Sequence, residues 1–246
     1  MEEELLTGGN THEAVVRVGD TVRRPAGPWT PGVHALLRHL EAAGFDGAPR
    51  VLGVDELGRE VLTFVEGDVV YPDHVDLIAP DEALAEVAGL VRAFHDAVAG
   101  FDGRGYEWSH RGSDGSGSGE LVCHNDLAPW NLVRRPGGGW AFVDWDLAAP
   151  GSPDWDLAWA LLTLIPLMPD STIRADVPHR LGVFREAYGA LDPGVLEVAV
   201  ARCVREAHLI RTDPAYARLL AEGHDVIWAD AGEHVARHLR EWKGAL

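Results

Sequence analysis

Hydrophobic residues in the first third of the chain recur in short alternating runs that are separated by turn residues. The runs form two pairs, residues 14–18 with 21–24 and residues 50–54 with 61–65. Alternation with a period of two predicts β-strands, and the Gly19-Asp20 dipeptide inside the first pair is typical of a hairpin turn. Residues 33–43 instead carry apolar side chains at helical spacing. The pattern therefore predicts a small antiparallel sheet with one helix.

The pattern changes after residue 67. Residues 81–101 have apolar side chains three and four positions apart, which predicts a core helix. Residues 132–135 and 140–145 predict a hairpin joined by three consecutive glycines, and the chain from residue 154 onward is predominantly helical. We therefore expect a first lobe over residues 1–67 and a second, larger lobe over residues 68–246.

Composition and charge narrow the classes of partner. Of 246 residues, 46% are hydrophobic, and 39 Asp plus Glu face 21 Lys plus Arg, which gives a net charge of −18. A chain with this much negative charge repels phosphate backbones and anionic lipid surfaces. We therefore expect no nucleic-acid or membrane partner, and we favour cationic ligands. The opening residues carry no basic segment followed by an apolar one, and no apolar run is long enough for a membrane span, which predicts a cytoplasmic protein. Because Lys243 is the single lysine, any cation in a central site must be an arginine.

Three side chains suggest a chemistry. Asp126 and Asn131 lie five positions apart in a predicted loop, and Asp144 follows the apolar strand 141–143. These side chains can converge on one point. Phosphoryl transfer needs such a set, since one carboxylate accepts the proton of the attacking hydroxyl while an amide oxygen and a second carboxylate hold Mg²⁺.

Several motifs extend this set along the chain. His124, Asp126 and Asn131 form H-x-D-x-x-x-x-N, Val143-Asp144-Trp145 ends a strand, residues 151–158 read GSPDWDLA, and residues 8–10 read GGN. In these motifs the chain resembles the aminoglycoside phosphotransferase and choline-kinase-like family, relatives of protein kinases. The resemblance implies an α+β, bilobal protein-kinase-like fold, with a small antiparallel-sheet N-lobe and a larger, mainly helical C-lobe.

The resemblance also implies roles for individual residues. Asp126 would be the catalytic base, Asn131 and Asp144 the Mg²⁺ ligands, and His124 and Asp156 the scaffold of the catalytic loop. The expected nucleotide contacts are Arg23 on the third strand, with Arg24 as the alternate, the phosphate-side turn at Gly9 and Asn10, and the lobe junction at Phe64 and Val65. The family's glutamate on the first helix has no counterpart, because the corresponding positions hold Val33 and His34.

The phosphoryl acceptor stays open at this point. The resemblance and the acidic charge favour a small hydroxyl compound such as an aminoglycoside or another cationic antibiotic, with Asp146, Trp130 and Glu206 as candidate contacts. A metabolic kinase for choline-like, homoserine-like or sugar acceptors is one alternative. A non-catalytic binding or immunity protein that sequesters a toxic peptide or antibiotic is another. ATP is the expected nucleotide with GTP as the alternate, and the protein is expected to be a monomer or a homodimer.

Overall fold

The computed structural model of the protein describes residues 3–6, 15–109, 119, 121–169, 171, 173 and 176–246. The expected phosphate-side turn at Gly9 and Asn10 lies outside these residues, as does most of the Gly/Ser-rich stretch 111–119.

The N-terminal part of the fold is a five-stranded antiparallel sheet. Its strands are β1 (Glu4–Leu5), β2 (Val16–Val18), β3 (Thr21–Pro25), β4 (Val51–Val54) and β5 (Arg59–Thr63), arranged in the order β1-β2-β3-β5-β4. Gly19 turns the chain between β2 and β3 with a φ of 59°, a conformation that glycine adopts without strain. The register of β3 against β5 sets Arg24 directly opposite Glu60.

One helix covers this sheet. Helix α1 (Thr30–Ala42) has a proline in its first turn, where the missing N–H costs no hydrogen bond. Its buried face carries Val33, Leu36 and Leu37, together with the imidazole of His34. Each fully buried aliphatic side chain of this kind contributes about 1.5–3 kcal/mol through removal from water. The helix is thereby fixed against the interior, and His34 with it.

The C-terminal part is mainly helical around two small sheets. Its helices are α2 (Asp81–Val98), α3 (Pro153–Leu164), α4 (Val177–Tyr188), α5 (Val195–Thr212), α6 (Ala217–Ala221) and α7 (His224–Trp242). Strands β6 (Asp68–Val69), β8 (Leu132–Arg134) and β9 (Trp140–Phe142) form one sheet in the order β6-β8-β9, while β7 (Leu121–Cys123) pairs with β10 (Ala149–Gly151). Short 3₁₀ turns lie at Val75–Ile78, Pro129–Asn131, Pro214–Tyr216 and Lys243–Ala245.

Helix α2 buries one face in the C-terminal core. Val87, Val91 and Phe94 on its inner face are completely buried, and the helix packs against α4, β7 and β9. The small sheet with one helix and the larger helical part were both predicted from the sequence, and both predictions are confirmed. The short strands β6 and β10 were not predicted. Within the described ranges, no helix combines the length and the apolar composition that crossing a bilayer requires.

Candidate active site

The loop between β7 and β8 carries the first half of the predicted motif. Asn125 adopts a left-handed backbone conformation with a φ of 67°, and the chain then runs through Asp126 into the 3₁₀ turn Pro129–Asn131. A left-handed conformation is uncommon for a residue other than glycine and persists only where surrounding contacts impose it. The loop is therefore held in shape by its neighbours.

Asp156, completely buried in the first turns of α3, is one of these neighbours. Its carboxylate accepts the backbone N–H groups of His124 at 2.9 Å and Asn125 at 2.8 Å, and it lies 3.3 Å from Nε2 of His95. Burial alone would raise the pKa of Asp156, but the hydrogen bond from His95 and the nearby donors hold that pKa below its usual value. The ionised carboxylate of Asp156 thus holds the backbone of the loop in place, which is what the scaffold role expected of this residue requires.

His124 stabilises the same loop from within. Its Nδ1 accepts the backbone N–H of Asp126 at 3.2 Å, and its ring packs on Trp145 with a centroid distance of 4.4 Å. The ring is fully buried, and burial lowers the pKa of His124. The neutral imidazole therefore shapes the backbone around Asp126, in keeping with the scaffold role expected of it.

The carboxylate of Asp126 is surrounded by hydrogen-bond donors. Trp159 Nε1 donates to Oδ1 at 2.8 Å, Asn131 Nδ2 donates to Oδ2 at 2.7 Å, and Trp130 Nε1 lies 3.2 and 3.1 Å from the two oxygens. Burial raises the pKa of Asp126 above its usual value, and the hydrogen bond from Trp130 opposes that rise. A carboxylate that is a stronger base than usual is better suited to accept a proton near neutral pH.

Asn131 and Asp144 lie next to each other at one end of the β8–β9 hairpin. The backbone N–H of Val143 donates to the carbonyl of Asn131 at 2.9 Å, which sets Asp144 directly after the paired residue. Asp144 has a left-handed φ of 58°. Because the amide nitrogen of Asn131 faces Asp126, its amide oxygen is left for another partner. An amide oxygen beside a carboxylate is a hard donor pair that fits Mg²⁺.

Arg24 connects the two parts of the fold at this point. Its guanidinium donates through Nε to Glu60, through Nη1 to Asp144 at 2.8 Å and through Nη2 to Asp146 at 2.5 Å. Arg24 is only 6% exposed. Burial opposes the charge, but Asp146, Asp144 and Glu60 together raise the pKa of Arg24 above its ordinary value. One permanent positive charge thus lies among three carboxylates.

Arg23, the first choice for this position from the sequence, points elsewhere. Neighbouring residues of a strand face opposite sides of a sheet, and Arg23 pairs with Asp55 at 3.4 Å rather than with the loop acids. The placement therefore favours the alternate, Arg24, and corrects the order of the two candidates.

Sequence reasoning missed Glu60 of this cluster, and it noted His34 only as a helix residue at the position where a glutamate was expected. Glu60 on β5 is 1% exposed, pairs with Arg24 through one oxygen and accepts a hydrogen bond from His34 Nε2 at 2.9 Å through the other. The carboxylate that pairs with Arg24 here thus comes from a strand, and His34 of α1 contacts it. The signal that could have identified Glu60 is the register of β3 against β5, which sets it opposite Arg24.

Phe64 and Val65 lie in the segment that joins β5 to β6, and therefore at the junction of the two parts of the fold. The backbone N–H of Phe64 donates to the carbonyl of Asp20 at 2.8 Å, and the guanidinium of Arg17 covers the Phe64 ring at 3.8 Å. Gly67 ends this segment with a φ of 142°, and a Cβ there would lie 2.1 Å from the carbonyl oxygen of Arg134. Only glycine fits so close to the β8 backbone.

Aromatic side chains surround the carboxylate of Asp126. Trp159 stacks on Trp228 of α7 with a centroid distance of 4.5 Å, and Trp130, 37% exposed, meets both Trp159 and Tyr71 edge to face. The buried guanidinium of Arg202 on α5 lies 4.4 Å from the centroid of the Trp159 ring and donates to the carbonyl of Asn125 at 2.9 Å. Helices α5 and α7 thus support the loop and the carboxylate of Asp126.

The three candidate acceptor contacts are placed differently. Trp130 lies beside Asp126 and is partly open to solvent. Asp146 is largely buried and pairs with Arg24, so it lies on the Arg24 side of the cluster. Glu206 is half-buried on α5, one turn after Arg202. Within the part of the chain that the structure describes, no group of three or more His, Cys, Asp or Glu side chains could hold a metal ion, so the metal expectation depends on Asn131 and Asp144.

Known proteins share this fold. The choline/ethanolamine kinase family protein from Mesorhizobium loti is 19% identical and has a TM-score of 0.61, covering 99% of this chain and 93% of that one. The wild-type aminoglycoside 2'-phosphotransferase-IIIa in its GDP complex is 16% identical and has a TM-score of 0.58, with the same coverage of 99% and 93%. The bilobal kinase-like fold predicted from the sequence is confirmed.

Sequence comparison identifies the family. Residues 108–197 match the phosphotransferase enzyme family. The trifolitoxin immunity protein of Rhizobium leguminosarum bv. trifolii is 36% identical over 189 residues, which cover 74% of this chain and 68% of the relative. The chain belongs to the phosphotransferase enzyme family. The sequence predicted a small-molecule phosphotransferase, and this class of enzyme is confirmed.

Proposed function

We propose that the protein transfers the terminal phosphoryl group of ATP to a hydroxyl group of a small cationic molecule. The observation that carries this proposal is the convergence of Asp126, Asn131 and Asp144 with Arg24 at one end of the β8–β9 hairpin. These side chains come from distant parts of the chain. The hydrogen bonds that Asp156 accepts hold the loop of Asp126 in shape. Phosphoryl transfer depends mainly on such positioning and on electrostatic stabilisation.

Asp126 is the group that would accept the proton of the acceptor hydroxyl. Trp159 and Asn131 each hold one of its oxygens, which fixes the plane of the carboxylate. Trp130 is the most exposed of its partners, so an acceptor hydroxyl would approach from the side of Trp130. A base positioned in this way contributes a factor of roughly 10² to 10⁴ to the rate.

The nucleotide would lie between the sheet and the hairpin. Arg24 presents a planar guanidinium, which suits phosphate oxygens, and its present partners Asp144 and Asp146 mark where its two Nη groups point. Phe64 and Val65 at the junction are the proposed neighbours of the base. Gly9 and Asn10 remain candidates for the phosphate-side turn. GTP is the alternate nucleotide.

The residues at the hairpin end fit Mg²⁺. Glu60, Asp144 and Asp146 share one guanidinium, so three acidic side chains surround one basic one, and a divalent cation would offset the imbalance. Asn131 and Asp144 are the proposed ligands. When bound, the ion would neutralise charge on the phosphates.

The acceptor side combines acid with aromatic surface. Trp130 and Tyr71 are both partly exposed beside Asp126, and aromatic faces attract organic cations. Together with the net charge of −18, these features favour an aminoglycoside, another cationic antibiotic or an amino alcohol. Glu206 remains a proposed contact.

A second candidate function is sequestration of a toxic peptide or antibiotic without turnover. The relative named as an immunity protein, 36% identical to this chain, favours this alternative. Such a protein needs the acceptor side of the site, but it has no need for Asp126 beside Asn131 and Asp144. The complete set of these residues makes phosphoryl transfer the better-supported function.

The decisive experiment measures ADP released from ATP in the presence of Mg²⁺ across a panel of aminoglycosides, basic peptide antibiotics and amino alcohols. Asp126→Asn should lower acceptor-stimulated release by roughly 10² to 10⁴ while nucleotide still binds. Asp102→Asn is the matched control, because Asp102 is exposed and pairs with Arg104 outside the site. A wild-type protein that binds a panel compound tightly but releases no ADP would refute transfer and support sequestration.

A further inference from the structure

We propose that His34 and Glu60 are positioning residues that aim Arg24 at the nucleotide phosphates, with His34 acting through Glu60. This inference rests on the proposed function, since it concerns the nucleotide side of that site. It assigns to α1 and β5 a part in nucleotide binding that the sequence motifs do not contain.

The three side chains form a buried chain of hydrogen bonds. Glu60 accepts Arg24 Nε on one oxygen and His34 Nε2, at 2.9 Å, on the other. All three residues are at most 6% exposed. Burial would raise the pKa of Glu60, but His34 and Arg24 hold that pKa below its usual value. Because an ionised carboxylate only accepts hydrogen bonds, the His34 Nε2 atom must carry the proton.

The contact with Glu60 determines where the rest of the guanidinium points. The five N–H groups of arginine lie in one rigid plane, so fixing Nε also fixes both Nη atoms. They point across to Asp144 at 2.8 Å and Asp146 at 2.5 Å. If Glu60 could rotate, the guanidinium of Arg24 would keep its charge but would no longer be held in this orientation.

His34 is what prevents Glu60 from rotating. It lies on the buried face of α1 beside Val33 and Leu37, which anchor the helix. Two elements therefore hold the guanidinium of Arg24 in place. Glu60 on β5 supplies the negative charge, and His34 on α1 supplies the hydrogen-bond donor that holds Glu60. The position of α1 is coupled to the aim of Arg24 through this donor.

Two variants of His34 separate positioning from general stability. His34→Leu removes the donor, whereas His34→Gln supplies an amide N–H near the position of Nε2. His39→Leu is the matched control, because His39 lies on the same helix but its Nε2 contacts the carbonyl of Ala97. Glu60→Gln removes the charge and should weaken nucleotide binding in the same direction.

The measurements are the dissociation constant of a non-hydrolysable ATP analogue, the KM values for ATP and acceptor, and the thermal midpoint. A lost hydrogen bond to a charged group corresponds to roughly tenfold or more in affinity. We therefore expect His34→Leu to raise the analogue dissociation constant and the ATP KM by about tenfold, with the acceptor KM unchanged. His34→Gln should recover most of this loss, and His39→Leu should bind nucleotide as the wild type does.

Each other outcome overturns a specific claim. If folded His34→Leu binds the analogue like the wild type, or if His39→Leu weakens binding equally, the positioning role is refuted while the proposed function stands. Failure of His34→Gln to recover affinity, with the fold intact, also refutes it. If the wild type binds no nucleotide, the proposed function fails and the positioning role falls with it.

Discussion

Replacing Asp156 by Asn should destabilise the protein and disorganise the loop that carries the proposed base. The carboxylate of Asp156 is completely buried and accepts the backbone N–H groups of two successive residues, His124 and Asn125. Asparagine has nearly the same shape, but it keeps a single acceptor oxygen. Its amide nitrogen would meet one of the N–H donors, so a buried donor would lose its partner.

The size of the effect follows from these contacts. A hydrogen bond to a charged group contributes about 1.5–3 kcal/mol, and an unsatisfied buried donor costs about 1–3 kcal/mol. Because the loop can relax partly, we expect a loss of about 2–4 kcal/mol in the free energy of unfolding. At about 2–4 °C per kcal/mol for a chain of this size, the thermal midpoint should fall by roughly 4–16 °C.

The pH dependence identifies the cause. The pKa of Asp156 is lowered in the folded state, so its ionised form contributes stability above the unfolded pKa of about 3.9 and loses it as pH falls through the folded value. The difference between wild type and variant, measured by urea unfolding, should therefore be full at pH 7 and shrink below about pH 4. Asp102→Asn is the control, because that carboxylate is exposed and pairs with Arg104 outside the loop. Equal stability of Asp156→Asn and wild type at pH 7 would refute this reasoning.

Three further outcomes are expected. Burial raises the pKa of Asp126, and the proposed base works only when it is ionised. As pH is lowered, kcat/KM should therefore begin to fall at a pH above the ordinary aspartate pKa of about 3.9. A fall that begins only at or below that value would contradict the assignment. Trp130→Phe should keep an aromatic face but remove the N–H bonded to Asp126. With the same acceptor, the fall in kcat/KM at low pH should then begin at a higher pH than in the wild type. An unchanged pH profile would count against the contact. Gly67→Ala should cost more stability than Gly58→Ala in chemical unfolding, since both glycines have positive φ but only the first would place a Cβ 2.1 Å from a carbonyl oxygen; equal losses would show that the junction relaxes.

The elements that sequence periodicity predicted are the ones with enough residues to show a period. Helix α2, Asp81–Val98, follows its pattern and ends three residues before the predicted limit of 101. The five-residue strand β5, Arg59–Thr63, has the predicted alternation but begins two residues before the predicted run 61–65. Strand β6 has only two residues, and β10 contains Pro150 and Gly151. These strands exist because they pair with β8 and β7, and such long-range pairing leaves no local pattern.

The site was predictable where its residues lie together in one motif and unpredictable where tertiary packing supplies a partner. Asp126 and Asn131 are five positions apart and contact each other in the structure. Trp159, which donates to the same carboxylate, comes from a helix 33 positions away. The choice between Arg23 and Arg24 required knowing which face of β3 meets the loop, and that depends on the register with β5.

The two candidate functions require different things of the same residues. Sequestering a cationic compound needs negative charge and aromatic surface, which the exposed parts of Trp130 and Tyr71 and the acidic chain already provide. It does not need a carboxylate whose ionised form is disfavoured by burial, as that of Asp126 is. It also does not need a guanidinium shared among three acids that come from both parts of the fold. Burying charged groups is costly unless they are paired, so an arrangement that holds the proposed base and the proposed phosphate-binding cation at fixed positions is most simply explained by catalysis.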